Sequence, residues 1–124
     1  MVLVDTSIWI RFLADRAPYA QELSNLLSVD EVAAHELVAG ELLVGDRGGR
    51  HELLTAYDRI YRAWSVPHSE VIEFVRHRKL NGRGIRWIDV HLLASALVSR
   101  FRLWTADSRL HALASELGIA YRSV

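Results

Sequence analysis

Four carboxylates stand where carboxylates are costly. Asp5 closes the apolar run Val2-Leu3-Val4, Asp107 follows Leu103-Trp104-Thr105, and Glu41 and Asp89 interrupt apolar helical stripes. Acidic side chains are almost never fully buried without partners, and carboxylates gathered together raise one another's pKa unless a cation is present. Oxygen-only ligands with positions left for water suit magnesium, or manganese, and both ions also coordinate phosphate oxygens. The chemistry implied is phosphodiester hydrolysis. Metal ions would neutralise the phosphate, orient an attacking water and lower its pKa, and stabilise the departing oxygen, with no covalent nucleophile.

Each acid also has a purely structural explanation. Asp5 and Asp107 both sit between a strand and a helix, where an Asp often does no more than cap free backbone amides. Glu41 shares its stripe with Leu37, Val38 and Val44, and Asp89 shares one with Ile85, Leu92, Leu93 and Ala96. Solvation is therefore not the simple alternative for these two. A buried Arg or Lys could pair with each of them instead, and Arg86 lies three residues before Asp89. A shared metal site accounts for both acids at once.

Positioning these residues requires alternating strands and helices. The pattern predicts strands at 1–5, 32–34, 64–67, 101–105 and 120–122. Helices are predicted after the Asp5-Thr6-Ser7 turn, from Pro18, and over 36–44, 51–61, 69–80, 87–99 and 108–116, with Gly45, Asn81-Gly82 and Gly118 as stops. Such alternation favours an α/β/α sandwich around a short, mainly parallel sheet, and open sheets of this kind bind ligands at the carboxyl ends of their strands. Asp5 and Asp107 both fall there. At 124 residues the whole chain, 1–124, fits one domain.

Composition excludes several other classes. The chain has no Cys, which removes disulfides, zinc ribbons and thiol nucleophiles together. His35-Glu36 and His51-Glu52 each begin like a zinc-protease helix, but Ala39 and Thr55 stand where the second His belongs. Gly82-Arg83-Gly84 is followed by Trp87 where a dinucleotide fingerprint wants Gly. Apolar runs are too short to span a bilayer and the start lacks a signal-peptide pattern, so a cytoplasmic location is expected, with no membrane.

The formal net charge of zero hides an asymmetry. Residues 1–43 hold seven acids and two bases, whereas residues 44–86 hold five acids and nine bases. Arg76, Arg78, Lys79, Arg83 and Arg86 crowd together there, enough to hold a phosphate backbone near an acidic centre. The plainer reading of the same run is a solvated helix face and loop.

These residues resemble a known family. The opening Val2-Leu3-Val4-Asp5-Thr6-Ser7, the segment from His35 to Leu42 ending in Glu41, the run Ile88 to Ala96 around Asp89, and Leu103-Trp104-Thr105-Ala106-Asp107 are similar, in order, to the four motifs of PIN-domain ribonucleases, and more closely to the toxins of VapBC toxin–antitoxin pairs. The resemblance covers nearly the whole chain. It implies a metal-dependent endoribonuclease using Mg2+, or Mn2+, with Asp5, Glu41, Asp89 and Asp107 as catalytic acids and metal ligands, Asp5 and Asp89 foremost. It implies that Ser7 and Thr105, with Thr6 nearby, orient carboxylates or water. It also implies an RNA substrate, a VapB-type antitoxin whose C-terminal segment covers the acidic site, and a toxin homodimer. Trp9, Phe12, Leu13, Leu42 and Leu43 could line a groove for that segment, although an ordinary core is the simpler fate for most of them. His91 stands where the family often has an apolar residue and is read as exposed or partner-facing.

Other functions fit less well. A phospho-accepting receiver domain needs an acid pair after its first strand and an Asp after its third, whereas Thr6-Ser7 and Pro67-His68 stand here. A phosphatase with an Asp nucleophile would want an acid at Ser7. The serious alternative is a catalytically inactive PIN-like module that binds RNA or protein.

Overall fold

The structure is a computed structural model and describes residues 1–122. Val2, Leu3 and Val4 are all buried, as expected of a central parallel strand covered on both faces. This strand, β1 (Val2–Val4), lies between β2 (Val32–Ala33) and β3 (Arg102–Trp104) in a parallel sheet of order β2-β1-β3. Leu3 is the pivot of the register, opposite Ala33 on one side and Leu103 on the other.

Seven helices flank the sheet among the described residues: α1 (Thr6–Leu13), α2 (Tyr19–Ser28), α3 (Glu36–Val44), α4 (His51–Tyr57), α5 (His68–Arg78), α6 (Trp87–Ser99) and α7 (Ser108–Glu116). The α/β/α sandwich expected from the alternation is therefore observed. The outer strands are not. Instead of a strand at 64–67, a single parallel bridge joins Arg62 to Ala34, and Trp64 is exposed. The expected terminal strand reduces to one bridge between Ala120 and Leu103.

Helix α6 is the central packing element. Val90, Leu92, Leu93, Ala94, Ser95 and Ala96 are all buried along it, so it is covered on most of its circumference. Arg100 ends it in a left-handed conformation, with its amide bonded back to Leu97 O. On the other side, Trp9 of α1 packs edge-on against Tyr57 at 5.3 Å and Phe12 at 5.8 Å. Leu23, Val38 and Leu42 complete that layer with no exposed surface. Each such Leu contributes roughly 1.5–3 kcal/mol of burial, which helps hold α2 and α3 in the fold. The chain leaves β1 for β2 on one side and then crosses to β3 on the other, so the topological switch point lies between β1 and β3, at whose carboxyl ends such sheets bind ligands.

Candidate active site

Asp5 is the first residue past β1, held there by its own amide donating to Trp104 O at 3.0 Å. It is 4% exposed, and its side chain accepts from the Ile8 amide as the N-cap of α1. Two hydroxyls also donate to it: Ser7 Oγ to Oδ1, and Thr105 Oγ1 to Oδ2 at 2.6 Å. Each hydroxyl in turn accepts a backbone amide, Ser7 Oγ from Ala106 N and Thr105 Oγ1 from Asp107 N, both at 3.0 Å. With their acceptor sides engaged, both hydroxyl protons are directed at Asp5. Burial pushes the Asp5 carboxyl above its usual range, the Ser7, Thr105 and Ile8 donors oppose that, and the charge of Asp89 adds to the rise.

Asp89 occupies the third position of α6 and is 5% exposed. Its Oδ2 accepts from the Arg86 amide at 3.0 Å, satisfying a free donor at the helix start, where negative charge is favoured. Glu41, half-buried on α3, accepts from Thr6 Oγ1 at 2.6 Å through Oε1. Its other oxygen faces Arg86 Nη1 at 3.7 Å, while Arg86 Nη2 lies 3.6 Å from Asp89 Oδ1. One guanidinium therefore spans two acids from different helices. Asp89 first, then Glu41 and Asp5, raise the Arg86 pKa.

The structure thus gathers Asp5, Glu41 and Asp89, with Thr6, Ser7, Thr105 and Arg86, at the carboxyl edge of the sheet. Asp107 stands apart. It is exposed, and its Oδ1 caps α7 by accepting from Leu110 N at 2.9 Å. Its tie to the others runs through its amide and Thr105. Among the described residues, no three His, Asp or Glu side chains stand close enough together to hold a metal as placed. The donor chemistry fits a hard, oxygen-seeking cation, but the space between Glu41 and Asp89 is spanned by the chain's own cation.

Of the basic run, Arg76 pairs with Glu73 and Arg83 with Glu116, while Arg78 and Lys79 are exposed at the end of α5. Arg86 differs from the rest by facing the acids. Of the apolar residues suggested for a groove, Trp9 and Leu42 are core, Phe12 is half-buried, and Leu13 and Leu43 are exposed. His91 is half-buried and packs edge-on against Trp87 at 4.8 Å.

Three further buried residues, His35, Ser95 and Tyr57, also shape the site. His35 has no exposed surface and caps α3, its Nδ1 accepting from Leu37 N at 3.0 Å. The remaining nitrogen, Nε2, must then bear the proton, and it lies 3.0 Å from Ser95 Oγ on α6. Burial lowers the His35 pKa to about 4, so the ring is neutral. Tyr57 completes the network by accepting from the His35 amide at 2.9 Å. The helix that carries Glu41 is thereby fastened to the helix that carries Asp89. In the sequence His35 stood out as the start of a broken zinc motif and of the segment resembling the second family motif, and neither reading points to this structural role.

Comparison with known proteins supplies an independent line. The family model described as PIN domain matches residues 2–116. Two curated relatives, both named Ribonuclease VapC32 and from two strains of Mycobacterium tuberculosis, are each 45% identical over 121 residues, spanning 97% of this chain and 95% of theirs. The crystal structure of PAE2754 from Pyrobaculum aerophilum matches with a TM-score of 0.59 over 94% of both chains, at 19% identity, a likeness of fold.

Proposed function

This chain belongs to the PIN-domain family, and from that premise we propose that it is the toxic component of a type II toxin–antitoxin system, a metal-dependent endoribonuclease that hydrolyses RNA phosphodiester bonds. The observation that carries the reading is that Glu41 and Asp89, from different helices, share one guanidinium beside the buried Asp5 at the carboxyl edge of the sheet. The name and close identity of the VapC32 relatives support it.

Asp5 and Asp89, with Glu41 and Asp107, would hold Mg2+ or Mn2+, which when bound supplies charge neutralisation at the phosphate and a water of lowered pKa. The chain's own residues prepare the site. Ser7 and Thr105 fix the orientation of Asp5 and favour its ionised form against burial, and Thr6 orients one oxygen of Glu41. Arg76, Arg78, Lys79 and Arg83 form the basic surface for the RNA backbone. A VapB-type antitoxin would cover the acidic edge, where Leu43 and Val44 are exposed on the Glu41 helix, and the toxin would act as a cytoplasmic homodimer.

Incubating total cellular RNA with purified, antitoxin-free protein tests this, with magnesium or manganese against EDTA and Asp5→Asn as control. Mapped ends should show discrete cuts that need both metal and Asp5. No cuts, or cuts that survive Asp5→Asn, would point instead to an inactive binding module or to a contaminating nuclease.

A further inference from the structure

Arg86 is placed unlike any other cation in the chain. Its side chain is 70% exposed, yet its guanidinium reaches inward to span Glu41 and Asp89, whose side chains are 21% and 8% exposed. Both contacts, at 3.7 and 3.6 Å, are ion pairs rather than short hydrogen bonds, so they hold the group by charge and leave it free to depart. The residue's fixed part is its backbone, which donates to Asp89 Oδ2 whatever the side chain does. Every electrostatic influence that raises the Arg86 pKa comes from an acid of this site: Asp89, Glu41 and Asp5.

We propose that Arg86 is a built-in occupant of the cation site: its guanidinium compensates Glu41 and Asp89 in the metal-free protein and must be displaced for a divalent ion to bind. This rests on the metal-dependent reading above. Glu41 and Asp89 side by side favour a positive charge between them, and the exposed arginine supplies it when no ion is present. The consequence is competition. A cation tethered within the same chain is always at high local concentration, so the ion's apparent affinity is reduced by the fraction of protein in which Arg86 is in place.

The test measures binding of Mn2+ alone, by calorimetry and by loss of the free-ion spin-resonance signal, to the full-length chain. Wild type is compared with Arg86→Gln, Arg109→Gln and Asp89→Asn. Arg109 is a control of equal charge change, since it packs by Gly84 and makes no ion pair with Glu41 or Asp89 among the described residues. Arg86→Gln should bind Mn2+ about tenfold more tightly than wild type, as expected from removing two partly exposed ion pairs, while Arg109→Gln changes affinity less than about twofold. Equal affinity in wild type and Arg86→Gln, with binding abolished by Asp89→Asn, would overturn the occupant role and leave the metal site standing. An equal gain in both arginine variants would reduce the effect to general charge and also overturn it. Absence of Mn2+ binding in every form would remove both the metal-dependent reading and the role of Arg86.

Discussion

His35 on the cap of α3 and Ser95 in the middle of α6 are joined by a buried contact of 3.0 Å, and neither has exposed surface. The pair sets the distance between the helix bearing Glu41 and the helix bearing Asp89. Ser95→Ala should leave the imidazole proton without a partner, at a cost of about 1–3 kcal/mol. His35→Asn keeps an acceptor for the Leu37 amide but loses the reach to Ser95. In urea denaturation the double variant should lose less than the sum of the single losses, by about 1 kcal/mol. At temperatures where all remain folded, turnover of RNA should fall with little change in KM, because the basic surface proposed for RNA is untouched. Strict additivity would mean that the contact carries no energy.

The same imidazole predicts a pH dependence. Its pKa drops from 6.5 to about 4 on folding, so above pH 6.5 it is neutral in both states and stability is unaffected. Between 6.5 and about 4 the unfolded chain takes up a proton that the folded chain refuses, and stability falls as pH falls. The full loss, reached below the folded value, is on the order of 3 kcal/mol. Thermal melts from pH 7.5 to 4.5 should show this slope in wild type and a flatter one in His35→Asn. Parallel slopes in the two proteins would place the acid sensitivity elsewhere.

Asp5 and Asp107 should respond differently to the same change. Burial raises the Asp5 pKa, so its charge opposes folding at neutral pH, and Asp5→Asn should raise the metal-free melting temperature by about 2–5 °C while abolishing cleavage. Asp107 is exposed and acts as a cap, a task Asn performs as well, so Asp107→Asn should leave the melting temperature within about 1 °C. Its effect on cleavage should be smaller than that of Asp5→Asn. A lowered melting temperature in Asp5→Asn would show that the Ser7 and Thr105 donors outweigh the burial of charge.

What the sequence made legible was local. The stripes around Glu41 and Asp89 gave both acids inward helix faces, and the short apolar runs before Asp5 and Asp107 put each of these acids at the carboxyl end of a strand. The roles of Thr6, Ser7 and Thr105 came from the family resemblance and not from any local pattern. Pairings between distant segments were not legible. The spacing Arg86 to Asp89 suggested one ion pair, but the second, to Glu41, depends on how α3 meets α6. The capping roles of Asp5 and Asp107 were foreseen individually, whereas burial of one and exposure of the other follow from packing that no local pattern encodes. The run 64–67 looked like a strand because it is apolar, yet the backbone bridge forms at Arg62, and Trp64 faces outward.

Two of the bonds that fix Asp5 depend on residues about a hundred positions later in the chain, Thr105 donating directly and the Ala106 amide holding Ser7 in place. During synthesis the N-terminal residues leave the ribosome long before those partners exist, and such remote closures are the slowest to form. A nascent chain stopped before β3 therefore has an Asp5 that water can reach and no hydroxyl clamp from Thr105. Completion of the hydroxyl clamp on Asp5 waits until Thr105 and Ala106 have been made, so a product ending before β3 should cleave no RNA.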